Sequence, residues 1–299
     1  MMRGAIVRGA ATWLITQYNY RMGRLFADTS QEVEDKLIEK LRLASPQRKL
    51  AIVGQLNAAV REMLLAGLRR QHPNDSLQAM HRRLADALLG SELAQYVKHS
   101  PEEVHSMQPE PVTVMLAIAE TFETLAINYV IGGSMASAFY GVGRSTLDVD
   151  FVADVRPEHI LPMISTLRPD FYLDESMMRS AIERRGSFNL IHLSTLFKVD
   201  VFIPGTRAFD KLQLTRRIRA SISADPDGQA YFLSPEDVVL AKLDWYQLGG
   251  RMSDRQWQDL LGVLIAQRGE LDMTYMRENA VAMGLSDLLE KAFSESDNT

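Results

Sequence analysis

Asp148, Asp150 and Asp200 are the residues of this chain best placed to do chemistry. Each stands inside an apolar, β-branched or aromatic run, Leu147–Ala153 and Phe197–Ile203. A carboxylate buried in such a run is costly unless it is paired. Side chains two apart on a strand share one face, so Asp148 and Asp150 project together while Val149 and Phe151 enter the core. Adjacent carboxylates raise each other's pKa, and a bound divalent cation removes that penalty. Upstream, Gly132-Gly133-Ser134 follows the short apolar run Tyr129-Val130-Ile131 and opens a helix-like segment. Free N–H groups at a helix start attract anions, and glycine allows close approach. The set reads as a phosphate cradle beside a Mg²⁺ site, because hard oxygen ligands suit Mg²⁺ and substrate phosphates complete its shell. The bland alternatives are a tight strand–helix turn and solvated or edge-strand aspartates.

Other residues carry less on their own. Arg144 reads as a triphosphate ligand or as a partner for one of the aspartates. Lys242 lies among apolar neighbours on a helix, where a lone lysine is usually solvated. Asp259 reads as a partner for Lys242 or Arg255. The basic run Arg216-Arg217-Ile218-Arg219 is open between a solvated face and a grip on RNA phosphates. Asp225-Pro226-Asp227 reads as a turn, and the six histidines show no metal-ligand spacing.

Gly133-Ser134, then Arg144-Ser145-Thr146-Leu147-Asp148-Val149-Asp150, then the strand Asp200, resembles the DNA polymerase β-type nucleotidyltransferase superfamily. The wider pattern is similar to AbiEii-type toxins and related minimal nucleotidyltransferases, over about residues 112–289. The resemblance implies an α/β (α+β) nucleotidyltransferase fold with a mixed sheet, a helical region before it and a helical C-terminal subdomain after it. It implies Asp148, Asp150 and Asp200 as catalytic residues and ligands of a two-metal Mg²⁺ site. Gly132, Gly133, Ser134, Arg144, Thr146 and Lys242 would bind the nucleotide, with Asp259 in support. The implied reaction moves a nucleoside monophosphate from a nucleoside triphosphate to an acceptor hydroxyl, with tRNA as the toxin-like acceptor. The implied partners are a cognate antitoxin, or a second copy met through the N-terminal helices. The alternatives are a degenerate nucleotide-binding or antitoxin-like interaction protein, and an enzyme modifying a protein or small-molecule hydroxyl.

The composition bounds these readings. At 299 residues about two domains are expected. Cysteine is absent, which excludes a thiolate nucleophile or disulfide and fits a cytoplasmic location. A net charge of −5 argues against a surface coated for non-specific nucleic-acid binding. No apolar run approaches the ~20 residues of a membrane span.

The elements that position the site follow from periodicity and punctuation. Residues 25–98 are expected to form a helical domain. Its helices run from 31 to 44, from an Ser45-Pro46 start to about Gln71, and from Leu77 to Leu89 before Gly90. The second of them carries Leu50, Val53, Leu56, Ala59, Val60 and Leu64 on one side. This region is expected to be a fused, partner-like module that covers or regulates the catalytic part. Residues 99–111 form a proline-containing linker, 112–220 the catalytic core and 221–299 the helical C-terminal subdomain. Residues 1–24 are an arginine-rich extension before or around a candidate start at Met22.

Overall fold

A computed structural model describes residues 30–97, 111–223 and 228–297. The N-terminal extension at 1–24, most of the expected linker at 99–111 and the Asp225–Asp227 turn lie outside the described residues. Among the described residues, four helices come first: α1 (Gln31–Leu43), α2 (Pro46–Gln71), α3 (Leu77–Leu89) and α4 (Ser91–Ala94). The Ser45 hydroxyl caps α2 by accepting from the Arg48 N–H with Pro46 at the first helical position, as the sequence suggests.

The sheet-bearing part then alternates helices and strands. It contains α5 (Pro111–Thr124), β1 (Tyr129–Ile131), α6 (Gly133–Tyr140), β2 (Asp148–Ala153), α7 (Ile160–Leu167), β3 (Phe171–Tyr172), α8 (Glu175–Arg184), β4 (Ser187–His192), β5 (Phe197–Phe202), α9 (Ala208–Thr215), β6 (Ile218–Ser221) and β7 (Gln229–Phe232). Helices α10 (Pro235–Leu248), α11 (Asp254–Ala266), α12 (Met273–Met283) and α13 (Ser286–Asp297) follow.

The strands form one mixed sheet in the order β3-β4-β5-β2-β1-β7-β6. β2 runs parallel to β5 and antiparallel to β1. Alternation along β2 and β5 buries Val149, Phe151, Ala153, Val199 and Val201 and turns the aspartates to the other face. Burial of a large apolar side chain such as Phe151 is worth about 1.5–3 kcal/mol, so this pattern fixes which face the acids occupy. β7 lies beyond the expected core boundary at 220: Ile131 of β1 pairs with Phe232, and Ile218–Ser221 of β6 pair with Gln229–Phe232.

The N-terminal helices share cores with the sheet-bearing part. Leu50 and Val53 of α2 belong to the main apolar cluster, and Leu84, Ala85, Ala94 and Val97 pack with Ile191 and Leu196 near the β4–β5 turn. Leu56, expected on the buried side of α2, is 40% exposed, whereas Lys49, Asn57 and Arg61 are buried. The apolar periodicity of α2 misses this because its contact stripe is mostly polar.

Candidate active site

Register brings the acids together. Asp150 of β2 pairs with Asp200 of β5, and Asp148 pairs with Lys198. Gly133 opens α6 directly beside them. Its φ is +55°, and an added Cβ would overlap the Asp150 carboxylate. Glycine is therefore required here by the acid beside it as well as by the backbone turn. The Gly132 N–H donates to the Asp150 carbonyl at 2.9 Å, tying the turn to the strand. Thr146 is buried, and its hydroxyl donates to Asp148 Oδ1 at 2.7 Å.

The three acids differ in their partners. Asp200 Oδ2 lies 2.7 Å from Lys198 Nζ, and its Oδ1 accepts from Asn189 Nδ2 at 2.6 Å. Burial raises the Asp200 pKa against the pull of Lys198. Burial, followed by the charges of Asp148 and Asp200, pushes Asp150 up to about 7 despite Lys242 and Lys198.

A second cluster faces the acids. Arg144 donates through Nε and Nη2 to both Asp259 oxygens, at 2.9 and 3.0 Å, and through Nη2 to Ser134 Oγ at 2.7 Å. Lys242 Nζ donates to Asp259 Oδ2 at 2.8 Å and to Gln256 Oε1 at 2.9 Å. Capped helix starts set this geometry. Ser234 accepts from the Asp237 N–H to begin α10, and Ser253 accepts from the Gln256 N–H to begin α11. Burial lowers the Lys242 pKa against the pull of Asp259. Burial also opposes the charge of Arg144, but Asp259 outweighs it and holds the guanidinium above its ordinary value. Of the two sequence-based alternatives for Arg144, its direct carboxylate partner is Asp259 and not a strand aspartate.

Ser134, Arg144, Asp148, Asp150, Lys198 and Lys242 line one cleft of about 1450 Å³. Gly132, Gly133 and Thr146 also line it, while Asp259 braces Arg144 and Lys242 from behind. Lys198 and Asn189 escaped the sequence reading. Lys198 was within reach, since it lies two residues before Asp200 and so shares its face; Asn189 depends on cross-strand pairing with Asp200. The basic run makes local pairings while Ile218 and Arg219 stay exposed. Arg216 meets Glu236 and Asp237, Arg217 stacks on Tyr231, and Arg219 lies near Glu123.

The donor set suits a hard cation. Asp148 and Asp150 offer oxygen from one strand face, and Mg²⁺ usually takes one or two carboxylates plus substrate phosphates. Among the described residues, no group of three acidic or histidine side chains is gathered to hold one ion. Asp200 is engaged by Lys198 and Asn189.

An acid-bearing mixed sheet, a glycine turn opening a helix beside it and a helical C-terminal region make an α+β fold with a helical region before and after the sheet. A family model described as Rv0078B-related antitoxin matches residues 42–113. An antigenic nucleotidyltransferase-like protein from Paracoccidioides brasiliensis overlaps at a TM-score of 0.40 and 18% identity, covering 63% of this chain and 92% of that one. The antibiotic-resistance factor ANT(2'')-Ia overlaps at a TM-score of 0.35 and 11% identity, covering 62% and 93%. Both overlaps are distant, and the fold class rests on the sheet order and the placement of the acids. No curated protein matches the chain. Among the described residues no helix is long and apolar enough to cross a membrane.

Proposed function

We propose that this protein transfers a nucleoside monophosphate from a nucleoside triphosphate to an acceptor hydroxyl, with tRNA as the acceptor. The observation that carries the reading is the register of Asp150 against Asp200, beside the Gly133 turn and across the cleft from Arg144 and Lys242. The free N–H groups at the start of α6 receive the triphosphate, and Arg144 and Lys242 offset the charge that builds on departing pyrophosphate. Mg²⁺ held by Asp148 and Asp150 would neutralise the triphosphate and lower the pKa of the acceptor hydroxyl. Asp200 takes the hydroxyl proton as the new O–P bond forms and the α–β phosphoanhydride bond breaks. Lys198 and Asn189 hold the Asp200 carboxylate in place for that step. Tight positioning and charge stabilisation are the protein's main contribution to such a reaction.

The test is pyrophosphate release from each of the four labelled ribonucleoside triphosphates, with Mg²⁺ and total tRNA, beside an Asp148→Ala/Asp150→Ala protein. Label in RNA that disappears in the double variant is the expected result. Equal turnover by the double variant would overturn the assignment, and label on protein alone would exchange the acceptor.

The antitoxin-related match at residues 42–113 favours one second reading, a nucleotide-binding interaction protein without turnover. Calorimetric titration separates the two, since such a binder takes nucleotide without Mg²⁺ and releases no pyrophosphate.

A further inference from the structure

The seam between the antitoxin-like helices and the catalytic part is built to hold particular groups. Lys49, Val53, Asn57 and Arg61 follow one another at one-turn intervals along α2, and all are buried. Lys49 Nζ donates to the Tyr140 carbonyl at the end of α6, at 3.1 Å. Val53 covers Gly143, where an added Cβ would stand 3.1 Å from Val53 Cγ2. Asn57 Oδ1 accepts from both the Ser145 hydroxyl and the Thr146 N–H, each at 2.9 Å. Arg61 Nη1 donates to the Thr195 carbonyl, in the β4–β5 turn, at 2.5 Å. The helix thus grips the chain on both approaches to the acid strands, before β2 and before β5.

Asn57 is the member of this stripe that reaches the chemistry. It is 1% exposed, and its Nδ2 has no hydrogen-bond partner. A buried amide kept for its oxygen alone leaves a donor unsatisfied, a cost that an apolar packing residue avoids. Turning the amide over would set Nδ2 against the Thr146 N–H, so the acceptor orientation is fixed. From Thr146 the line continues through its hydroxyl to Asp148 Oδ1. The module also leaves the site open. Leu88, Leu89 and Leu93 form one wall of the cleft, yet Ser134, Asp148, Asp150 and Lys242 still line it.

We propose that Asn57 is a positioning residue of the nucleotidyltransferase site. The antitoxin-like module fixes Thr146, and through it Asp148, so it completes the acid face rather than occluding the cleft. This deepens the reading under Proposed function and rests on it. An occluding inhibitor and a completing module predict opposite signs when their seam is weakened.

The experiment titrates full-length wild type, Asn57→Leu and Asn57→Asp by calorimetry with α,β-methylene analogues of the four ribonucleoside triphosphates. Each titration is run with Mg²⁺ and with chelator, and each protein is checked by thermal melting. Groups that orient a metal ligand typically govern about 10–100-fold in affinity, and a loss of that size is expected for Asn57→Leu in the presence of Mg²⁺. Asn57→Asp keeps the acceptor oxygens and is expected to recover most of the binding. Unchanged or tighter binding by Asn57→Leu overturns the proposal, the tighter case marking the module as an inhibitor. A loss that Asn57→Asp does not recover assigns Asn57 to packing and also overturns it. Wild type that binds none of the analogues overturns this inference together with the nucleotidyltransferase reading. If Asn57→Leu does not fold, Thr146→Val and Thr146→Ser cut and keep the Asp148 hydrogen bond. Equal binding by those two overturns the proposal.

Discussion

Asp148, Asp150 and Lys198 line the sheet side of the cleft, with Asp200 paired to Lys198, whereas Arg144 and Lys242 gather round Asp259 on the helix side. The sheet side holds a buried acid beside two others: burial first, then the charges of Asp148 and Asp200, push Asp150 up to about 7. The helix side holds excess positive charge with its geometry already set, since Asp259 receives three donated hydrogen bonds from the two cations. Under the proposed function, a ligand would complete the first side with a cation and the second with anionic oxygens. A triphosphate carrying a divalent metal has both. The difference predicts that single substitutions move stability in opposite directions on the two walls.

The largest expected effect lies on the helix side. Lys242 is 3% exposed, and Asp259→Ala would leave its ammonium buried without its carboxylate. Removing one partner of a buried pair costs about 3–5 kcal/mol. Urea denaturation should show that loss for Asp259→Ala, and a loss below about 1 kcal/mol would show that the cluster is not held together by this pair.

On the sheet side the same kind of change should spare the fold and damage the chemistry. Asp150→Asn is expected to lower the rate of nucleotide transfer by about 10²–10³, the scale of losing one electrostatic stabiliser. Label incorporation from the triphosphate measures it. A rate near wild type would break the comparison, because Asp150 would then carry charge to no purpose.

Much of this contrast was legible in the sequence, and the boundary is instructive. The acids, the glycine turn, Arg144 and Thr146 lie within one short stretch, where strand alternation and local spacing suffice. The strand at Tyr129–Ile131 and the helix from Pro46 to Gln71 fall where punctuation puts them. The site roles of Lys242 and Asp259 came only from family resemblance, whereas Lys242 was one of two partners open to Asp259, Arg255 being the other. The Asp150–Asp200 register is a long-range pairing that spacing alone cannot supply. The stripe of Lys49, Asn57 and Arg61 was hidden for a further reason. Hydrophobic periodicity finds apolar contact faces, and this seam recognises main-chain groups with polar side chains.

Gly133→Ala probes where the turn meets the sheet wall. The residue sits at φ +55°, and its Cβ would overlap the Asp150 carboxylate. Such backbone strain is worth about 1–3 kcal/mol. Denaturation should show a loss in that range, together with weaker Mg²⁺-dependent triphosphate binding as Asp150 is displaced. A stable variant with wild-type binding would mean that the turn can shift away from the strand, and that the close approach of turn and acid is dispensable.

The last expected effect concerns pH, and its sign separates a strained acid wall from a settled one. The Asp150 pKa rises from an ordinary 3.8 to about 7 in the folded protein. Between those values the native state holds a proton that the unfolded chain has released. Stability from this group therefore falls as pH rises from about 4 to about 7, and levels off above that. Asp150→Asn removes the titration. In chelator, the variant should match wild type near pH 4 apart from a constant offset, then gain on it steadily up to about pH 7, read as a widening difference in melting temperature. Saturating Mg²⁺ should favour the ionised wild type and shrink or reverse that gain, since a ligand at about 100 times its Kd stabilises by about 2.7 kcal/mol. A gap between the two proteins that stays flat with pH would place Asp150 at an ordinary carboxylate pKa. The sheet wall would then need no cation, and the contrast with the Asp259 cluster would vanish.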